Sequence, residues 1–348
     1  MPYYTSINTF PLFINKFSPR RLDLLTFLTG EGGFGKVIFG AELQKREFRD
    51  YSTEFYFKSG PGLQRFLYNY KEDDDLMHAF FIGYKREFNS WILNLGARYE
   101  HYEGYPGKVI PRLGLIYKLN PRWTFLLSYT EGFNIPSFFH KRDWFIPLGT
   151  ISYTFHKLSP EREKTYQISV LYKRDEDLKL RGTLFYQKQK DRIWYDSVKR
   201  EEVNFPSFSS AGLELELTGK RGELLYFLNY SYFKLLEAKN QPFIYKEDYI
   251  IGFPRWMLKG GISLKLPFYP ASYLSPSFKF IGPTRDRGGK IVSDYFVWDL
   301  NYRLNLFKNI SLEAKIENLF DKHYKRAGSM EAIPWDGRRA SLELKLDF

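Results

Sequence analysis

Near the C-terminus, three segments alternate apolar and polar side chains at every second position. They cover residues 298–306, 310–317 and 340–348. Successive side chains of a strand point to opposite faces, so a period of two predicts β-strands. The opposite face is charged and needs water, so the apolar face must meet a core or lipid. The apolar positions include Trp298, Leu300, Tyr302, Leu304, Ile310, Leu312, Leu342, Leu344, Leu346 and Phe348.

The same alternation recurs along most of the chain and predicts strands that come in pairs. The predicted strands cover 20–30, 36–50, 77–87, 91–103, 109–119, 122–132, 163–174, 178–190, 209–219, 222–235, 254–267 and 271–282. With the last three segments they make about 15 strands, or about 16 if residues 1–19 contribute one. No segment shows a sustained helical period, so the chain is predicted to be all-β. We interpret residues 1–19 as an uncertain N-terminal segment and 20–348 as one domain.

The connections between these strands alternate between short and long. Short turns at 87–90, 119–122 and 174–177 alternate with longer gaps, and the gap from Glu131 to Arg162 is the longest. Residues 59–75 are expected to form another long loop, whose acidic run lacks the ligand spacing of a calcium loop. Short turns at one end and long loops at the other are typical of outer-membrane barrels. The pattern therefore predicts an antiparallel transmembrane β-barrel with about 14–16 strands in this chain.

Short motifs also follow one another in an order known from one family. Those that carry the likeness are Leu95–Tyr99, Pro111–Tyr117, Tyr129–Ser137, Leu158–Glu161, Gly212–Leu215, Asn318–Tyr324, Gly337–Arg338 and the terminal Phe348. Over about residues 36–348 the chain resembles the barrel portion of TonB-dependent outer-membrane receptors. The resemblance implies energy-coupled uptake of a scarce nutrient such as a siderophore, cobalamin or haem. It also implies that Phe348 is part of the signal read by the barrel assembly machinery.

Two departures from the family shape our expectations. The sequence shows no plug domain or energy-coupling box, and it supplies fewer strands than the 22 of such transporters. We therefore interpret the chain as a fragment without its plug, and expect an open seam in which its first strand does not pair with 340–347. One alternative is a self-standing passive pore, since about 16 strands enclose an aqueous channel. Another is a soluble β-sandwich binding module with a basic surface.

Composition narrows the remaining classes. The chain has 348 residues, a net charge of +12 and 19% aromatic residues. It has no run of about 18 apolar residues, so a helical membrane protein is excluded. Lys and Arg are spread over alternating strand faces, which argues against a nucleic-acid partner. No secretory signal is visible at Met1–Thr5, although the predicted location is the outer membrane. Interfacial girdles, which place aromatic rings between hydrocarbon and headgroups, account for Trp91, Trp123, Trp256 and Trp298.

Catalytic and metal-binding signals are missing. The five histidines, at 78, 101, 140, 156 and 323, lie apart and lack ligand spacing. There is no nucleophile elbow and no phosphate-binding loop, so we expect neither an enzyme nor a bound cofactor.

The long loop 138–157 is the predicted ligand-contacting segment. It contains His140, Arg142, Trp144, Tyr153 and His156, which together could hold an anionic or aromatic ligand by charge and stacking. An ordinary surface loop explains the same residues equally well.

Overall fold

The computed structural model describes most of the chain as strand. The described residues are 12–59, 62–69, 73–137, 144–146, 151–153, 158–196, 201–239, 252–267, 272–286, 289–307, 309–327, 332–335 and 337–346. Among them there is no helix, and hence none long and apolar enough to cross a membrane.

The described residues form 22 strands. The bounds are β1 (Leu12–Gly32), β2 (Gly35–Ser59), β3 (Gly62–Asn69), β4 (Asp73–Phe88), β5 (Trp91–Tyr102), β6 (Lys108–Lys118), β7 (Trp123–Asn134), β8 (Trp144–Ile146), β9 (Ile151–Tyr153), β10 (Glu161–Lys173), β11 (Leu178–Asp196), β12 (Glu201–Arg221), β13 (Leu224–Lys239), β14 (Trp256–Lys265), β15 (Ser272–Ile281), β16 (Thr284–Arg285), β17 (Ile291–Val292), β18 (Tyr295–Phe307), β19 (Ile310–Glu317), β20 (Lys325–Ala327), β21 (Ala332–Pro334) and β22 (Arg339–Leu346).

Sixteen of these strands form one antiparallel sheet. Its order is β1-β2-β4-β5-β6-β7-β10-β11-β12-β13-β14-β15-β18-β19-β22, and β3 pairs with the end of β2. The order of the strands along this path is the same as their order in the sequence, as in an up-and-down barrel. The predicted all-β antiparallel fold is therefore confirmed, and within the described residues 15 of the 16 strands lie on this path. A soluble sandwich would instead need two sheets packed face to face.

The sheet is not closed within the described residues. There β1 pairs only with β2, β22 pairs only with β19, and the two edge strands do not pair with each other. The expected open seam is thus confirmed for this part of the chain. Residues 12–19, which the sequence pattern left uncertain, form the first part of β1.

The two faces of the sheet differ in chemistry. Register places Leu300 opposite Ile316 and Leu312 opposite Leu344, so the apolar positions of neighbouring strands share one side, which we call the apolar face. Leu342 on this face is 70% exposed, as expected for a surface that meets lipid and no protein core. The opposite side, the polar face, carries the charged positions of the same strands.

Short turns gather at one end of the sheet, which we call the short-turn end. Asn89 adopts a left-handed φ of 51° between β4 and β5, and Gly222 a φ of 58° between β12 and β13. Such conformations suit tight hairpins and are tolerated by Asn and Gly. In the β6–β7 turn, Asn120 Oδ1 accepts hydrogen bonds from the backbone N–H groups of Arg122 (2.9 Å) and Trp123 (3.0 Å).

The opposite end, the long-loop end, departs from the sequence prediction. Residues 59–75 are not a long loop, because β3 pairs with Ser52–Ser59 of β2 and β4 already begins at Asp73. Likewise β11 runs to Asp196 and β12 begins at Glu201. The gap predicted between residues 190 and 209 is therefore mostly strand and extends the β11–β12 hairpin. Both faces of such extensions can meet water, which weakens the alternation that marks a strand.

Aromatic side chains of the apolar face pair near both ends of the strands. Trp91 stacks on Tyr117 with 4.3 Å between ring centroids at the short-turn end. Towards the long-loop end, Trp256 stacks on Phe280, also at 4.3 Å. Two rows at different heights are the arrangement expected of interfacial girdles. Trp123 belongs to the first row, beside Tyr172, whereas Trp298 lies among other aromatic rings of β15 and β18.

The C-terminal motif of the sequence is a structural clamp between β19 and β22. Asn318, at a left-handed φ of 52°, accepts a hydrogen bond from the Lys322 N–H (2.9 Å) and donates one to the Lys322 carbonyl (3.0 Å). Asp321 accepts a hydrogen bond from the Arg338 N–H at 2.7 Å. A Cβ at Gly337 would lie 2.6 Å from Asp321 Oδ1, so a larger residue here would displace the carboxylate that accepts this hydrogen bond. The clamp, which comprises Asn318, Asp321 and Gly337, places the start of β22.

Candidate ligand-facing wall

The predicted ligand loop is described only in part. Trp144 and Tyr153 lie directly opposite each other in the short antiparallel pair β8–β9, so the backbone brings these two positions together. His140, Arg142 and His156 lie outside the described residues, and so does Phe348. Within the described part of the chain, no three His, Asp or Glu side chains lie close enough to hold a metal ion.

A charged cluster on the polar face lies on β2, β4 and β5, and we call it the wall cluster. Its members are Glu42, Arg46, Asp75, Arg98 and Glu100. These positions have the register of the polar face, since Phe39 and Ile82 take the alternate positions on the apolar face.

Arg98 joins two carboxylates in this cluster. Its Nη2 lies 2.8 Å from Glu42 Oε2, and its Nε donates to Glu100 Oε1. The Arg98, Glu42 and Glu100 side chains are 25%, 21% and 13% exposed, so they are partly withdrawn from water. Hydrogen bonds between ionised groups are the strong ones, and a guanidinium between two carboxylates fixes all three side chains. Glu42 lies 56 residues from Arg98 in the sequence.

Arg46 forms the second half of the wall cluster. Its Nη2 lies 3.2 Å from Asp75 Oδ2, and its guanidinium carbon lies 5.8 Å from the centre of the Tyr102 ring. The Arg46 Nε is buried and has no hydrogen-bond partner within the described residues. A buried donor without a partner is costly, so this N–H is available to an acceptor that reaches the wall.

Polar contacts continue along the same face on both sides. On β1, Asp23 accepts hydrogen bonds from Arg21 Nε (2.7 Å) and Gln44 Nε2 (2.9 Å). On β10 and β11, Glu163 accepts one from Gln189 Nε2 (2.7 Å). The polar face is thus lined by hydrogen-bonding side chains over several strands, which a water-filled interior requires.

A cavity of about 590 Å³ opens on the polar face beside the wall cluster. Its size is that of a small-ligand site. Its lining includes Glu42, Phe81, Arg98, Glu100, Ile110 and Arg112. Guanidinium and carboxylate groups beside an aromatic ring and an aliphatic side chain can bind a polar ligand by charge and by contact with its apolar parts. Sequence reasoning missed these residues, because ordinary strand charges become a cluster only through strand pairing.

The fold is shared with solved outer-membrane receptors and transporters. The siderophore receptor PiuA from Acinetobacter baumannii aligns with a TM-score of 0.73 and 17% identity, over 96% of this chain and 56% of that one. The ferripyoverdine receptor of the outer membrane of Pseudomonas aeruginosa aligns with a TM-score of 0.72 and 15% identity, over 97% and 49%. The copper transporter OprC aligns with a TM-score of 0.74 and 14% identity, over 97% and 58%. The chain therefore spans about half the length of these structures.

A family model supplies the stronger evidence. No curated protein matches the sequence, but the model described as "TonB dependent receptor-like, beta-barrel" matches residues 3–319. The match includes the strands that carry the wall cluster and continues to the end of β19, and the structural neighbours are receptors and transporters. TonB-dependent receptor barrels are outer-membrane proteins. The chain belongs to the family of TonB-dependent receptor-like β-barrels.

Proposed function

We propose that this chain forms wall strands of an outer-membrane receptor that takes up a scarce nutrient with energy from the inner membrane. The observation that carries the proposal is a single sheet with one apolar face and one charged face, matched by the family model over residues 3–319. Lipid would cover the apolar face, and the wall cluster would face the interior. The energy would reach this wall through a plug that the described strands do not include, and we propose both the plug and its coupling to the inner membrane.

The proposed ligand is a small metal-carrying nutrient. Structural neighbours include a siderophore receptor, a ferripyoverdine receptor and a copper transporter, which makes ferric siderophores and copper the first candidates, ahead of cobalamin and haem. On this chain, His140, Arg142, Trp144, Tyr153 and His156 would make the first contact from the long-loop end. The wall cluster would meet the ligand further in, and the buried Arg46 N–H supports an acceptor-rich ligand.

An uptake experiment tests this proposal. Cells that depend on the whole protein receive radiolabelled ferric siderophores, copper, cobalamin or haem, with and without a protonophore. We expect accumulation of one ligand that stops when the proton gradient collapses. A double variant, Arg142→Ala with His140→Ala, should weaken binding of that ligand, whereas Arg122→Ala at the short-turn end should not. Accumulation that persists without the gradient would favour the passive pore, and failure of all four ligands would contradict the proposal.

Phe348 is proposed to act in membrane assembly. The apolar register of Leu342, Leu344 and Leu346 on β22 leads directly to this terminal aromatic residue. The barrel assembly machinery is the proposed partner.

A further inference from the structure

The apolar face changes abruptly to positive charge on β10 and β11. Tyr166 lies opposite Tyr186, and one step further towards the long-loop end Lys164 lies opposite Lys188. The next pair on the same face is Arg162 opposite Lys190. Four cations thus stand in two directly opposed pairs immediately beyond a pair of tyrosines.

These opposed cations are poorly compensated. Like charges directly opposite each other on a sheet are destabilising. Lys164 contacts one carboxylate, Glu131, at 3.1 Å, and Lys108 shares that carboxylate at 3.4 Å. Within the described part of the chain, Arg162, Lys188 and Lys190 form no ion pair.

The same face on β2 and β4 shows that this arrangement is local. Lys45 lies directly opposite Leu22 on β1 and Leu76 on β4, and so belongs to the apolar face. Its Nζ lies 2.8 Å from Glu47 Oε1 and 3.9 Å from Asp74 Oδ2. Cations at the long-loop end of the apolar face are therefore matched by carboxylates on β2 and β4, whereas on β10 and β11 only Lys164 of the four cations contacts a carboxylate within the described residues. The excess positive charge of the four cations is complementary to an external anion.

An apolar groove runs directly below these four cations. It has a volume of about 650 Å³ and crosses the strands from β5 to β12. Its lining includes Leu113, Leu127, Tyr129, Tyr166, Ile168 and Leu184. Tyrosine rings suit the boundary between hydrocarbon and headgroups, so the groove lies in the acyl region and the cations lie at headgroup height.

We propose that this groove and the four cations form a binding site for a phosphate-bearing, multiply acylated lipid of the outer leaflet. Acyl chains occupy the groove, and the phosphate groups lie between Lys164, Lys188, Arg162 and Lys190. Lysine and arginine are the usual partners of phosphate, and an anion placed between opposed cations removes their mutual repulsion. The inference rests on the membrane placement proposed above.

The test uses the whole protein, purified in mild detergent and inserted into phosphatidylcholine vesicles. Lipid A with its phosphates, dephosphorylated lipid A and inorganic phosphate are the three probes, and bound lipid is measured by native mass spectrometry. We expect phosphorylated lipid A to bind, inorganic phosphate not to bind, and Lys188→Gln with Lys190→Gln to weaken lipid A binding about tenfold. Lys45→Gln is the matched control, because its cation already has carboxylate partners, and it should bind as the wild type does.

The lipid-binding measurements test the proposed lipid site separately from nutrient uptake. Equal binding of phosphorylated and dephosphorylated lipid A, or an unchanged affinity in the double variant, would overturn it. Heat-modifiable gel mobility checks that the variants are folded, and Lys188→Arg with Lys190→Arg should restore binding. Nutrient uptake is a separate readout, so a protein that selects phosphorylated lipid but accumulates no nutrient would contradict the proposed function and leave the lipid site intact.

Discussion

The clamp at the C-terminal end and the wall cluster near the N-terminal end show two different uses of polar residues. The clamp is short in sequence, and Asn318 and Asp321 satisfy backbone groups of Lys322 and Arg338. The wall cluster is assembled from neighbouring strands, joins residues that are far apart in sequence, and leaves the Arg46 Nε without a partner in the described residues. Polar groups that complete the backbone stabilise the fold, whereas polar groups with unused hydrogen-bonding capacity remain available to a ligand. The C-terminal motif, which was recognisable from the sequence, therefore has a structural role in the clamp.

The largest effect should come from breaking the clamp. Asn318→Ala removes both hydrogen bonds to Lys322 and places alanine at a φ of 52°, at a cost of about 2–4 kcal/mol in unfolding free energy. Urea unfolding of the protein in lipid vesicles measures this change. Asn318→Gly keeps the backbone conformation and should lose less. Equal losses in both variants would mean that backbone strain contributes nothing.

Breaking the wall cluster should have a smaller effect on stability. Arg98→Met leaves the Glu42 and Glu100 carboxylates without their shared cation, which should lower the unfolding free energy by about 2 kcal/mol. Arg181→Met is the matched control, because Arg181 lies 3.9 Å from Glu216 and both side chains are about half exposed. Its loss should stay below about 1 kcal/mol. Similar losses in the two variants would show that the wall cluster is an ordinary solvated surface.

A substitution at Phe348 can distinguish an effect on outer-membrane assembly from an effect on folding stability. Phe348→Ala removes the terminal aromatic side chain and should cost at most about 1.5–3 kcal/mol, the value for burying such a side chain fully. We expect insertion into the outer membrane to fail while refolding in detergent proceeds. Phe348→Tyr should insert normally. Equal failure of the alanine variant in both settings would instead indicate a packing defect.

The smallest effect concerns the hairpin of β11 and β12 at the long-loop end. Burial raises the pKa of Glu202 to about 7 from 4.5. The folded hairpin therefore holds a proton that the unfolded chain releases, so its stability should fall as pH rises from about 4.5 to about 7. Hydrogen exchange of residues 192–205, corrected for the intrinsic pH dependence, measures this. Glu202→Gln should abolish the trend, and an identical trend in that variant would assign it to another group.

Much of the wall follows from local sequence patterns. The alternation of Leu342, Leu344 and Leu346 with charged residues identified both a strand and its apolar face, and the structure confirms that register. Residues 62–69 were missed because a hairpin that meets water on both faces needs no alternation. The predicted ligand loop can be compared only at Trp144 and Tyr153, which lie opposite each other.

The sequence by itself determined the strands, their two faces and the ends that carry short turns, because side-chain direction alternates along any strand whatever its partner. Only the tertiary structure decided which charges meet. Arg98 reaches Glu42 across 56 residues, and Lys164 faces Lys188 through the register of β10 and β11. Register depends on the pairing of whole strands, and a shift by one residue moves every side chain to the other face. The wall cluster and the cation pairs therefore became visible only in the folded sheet.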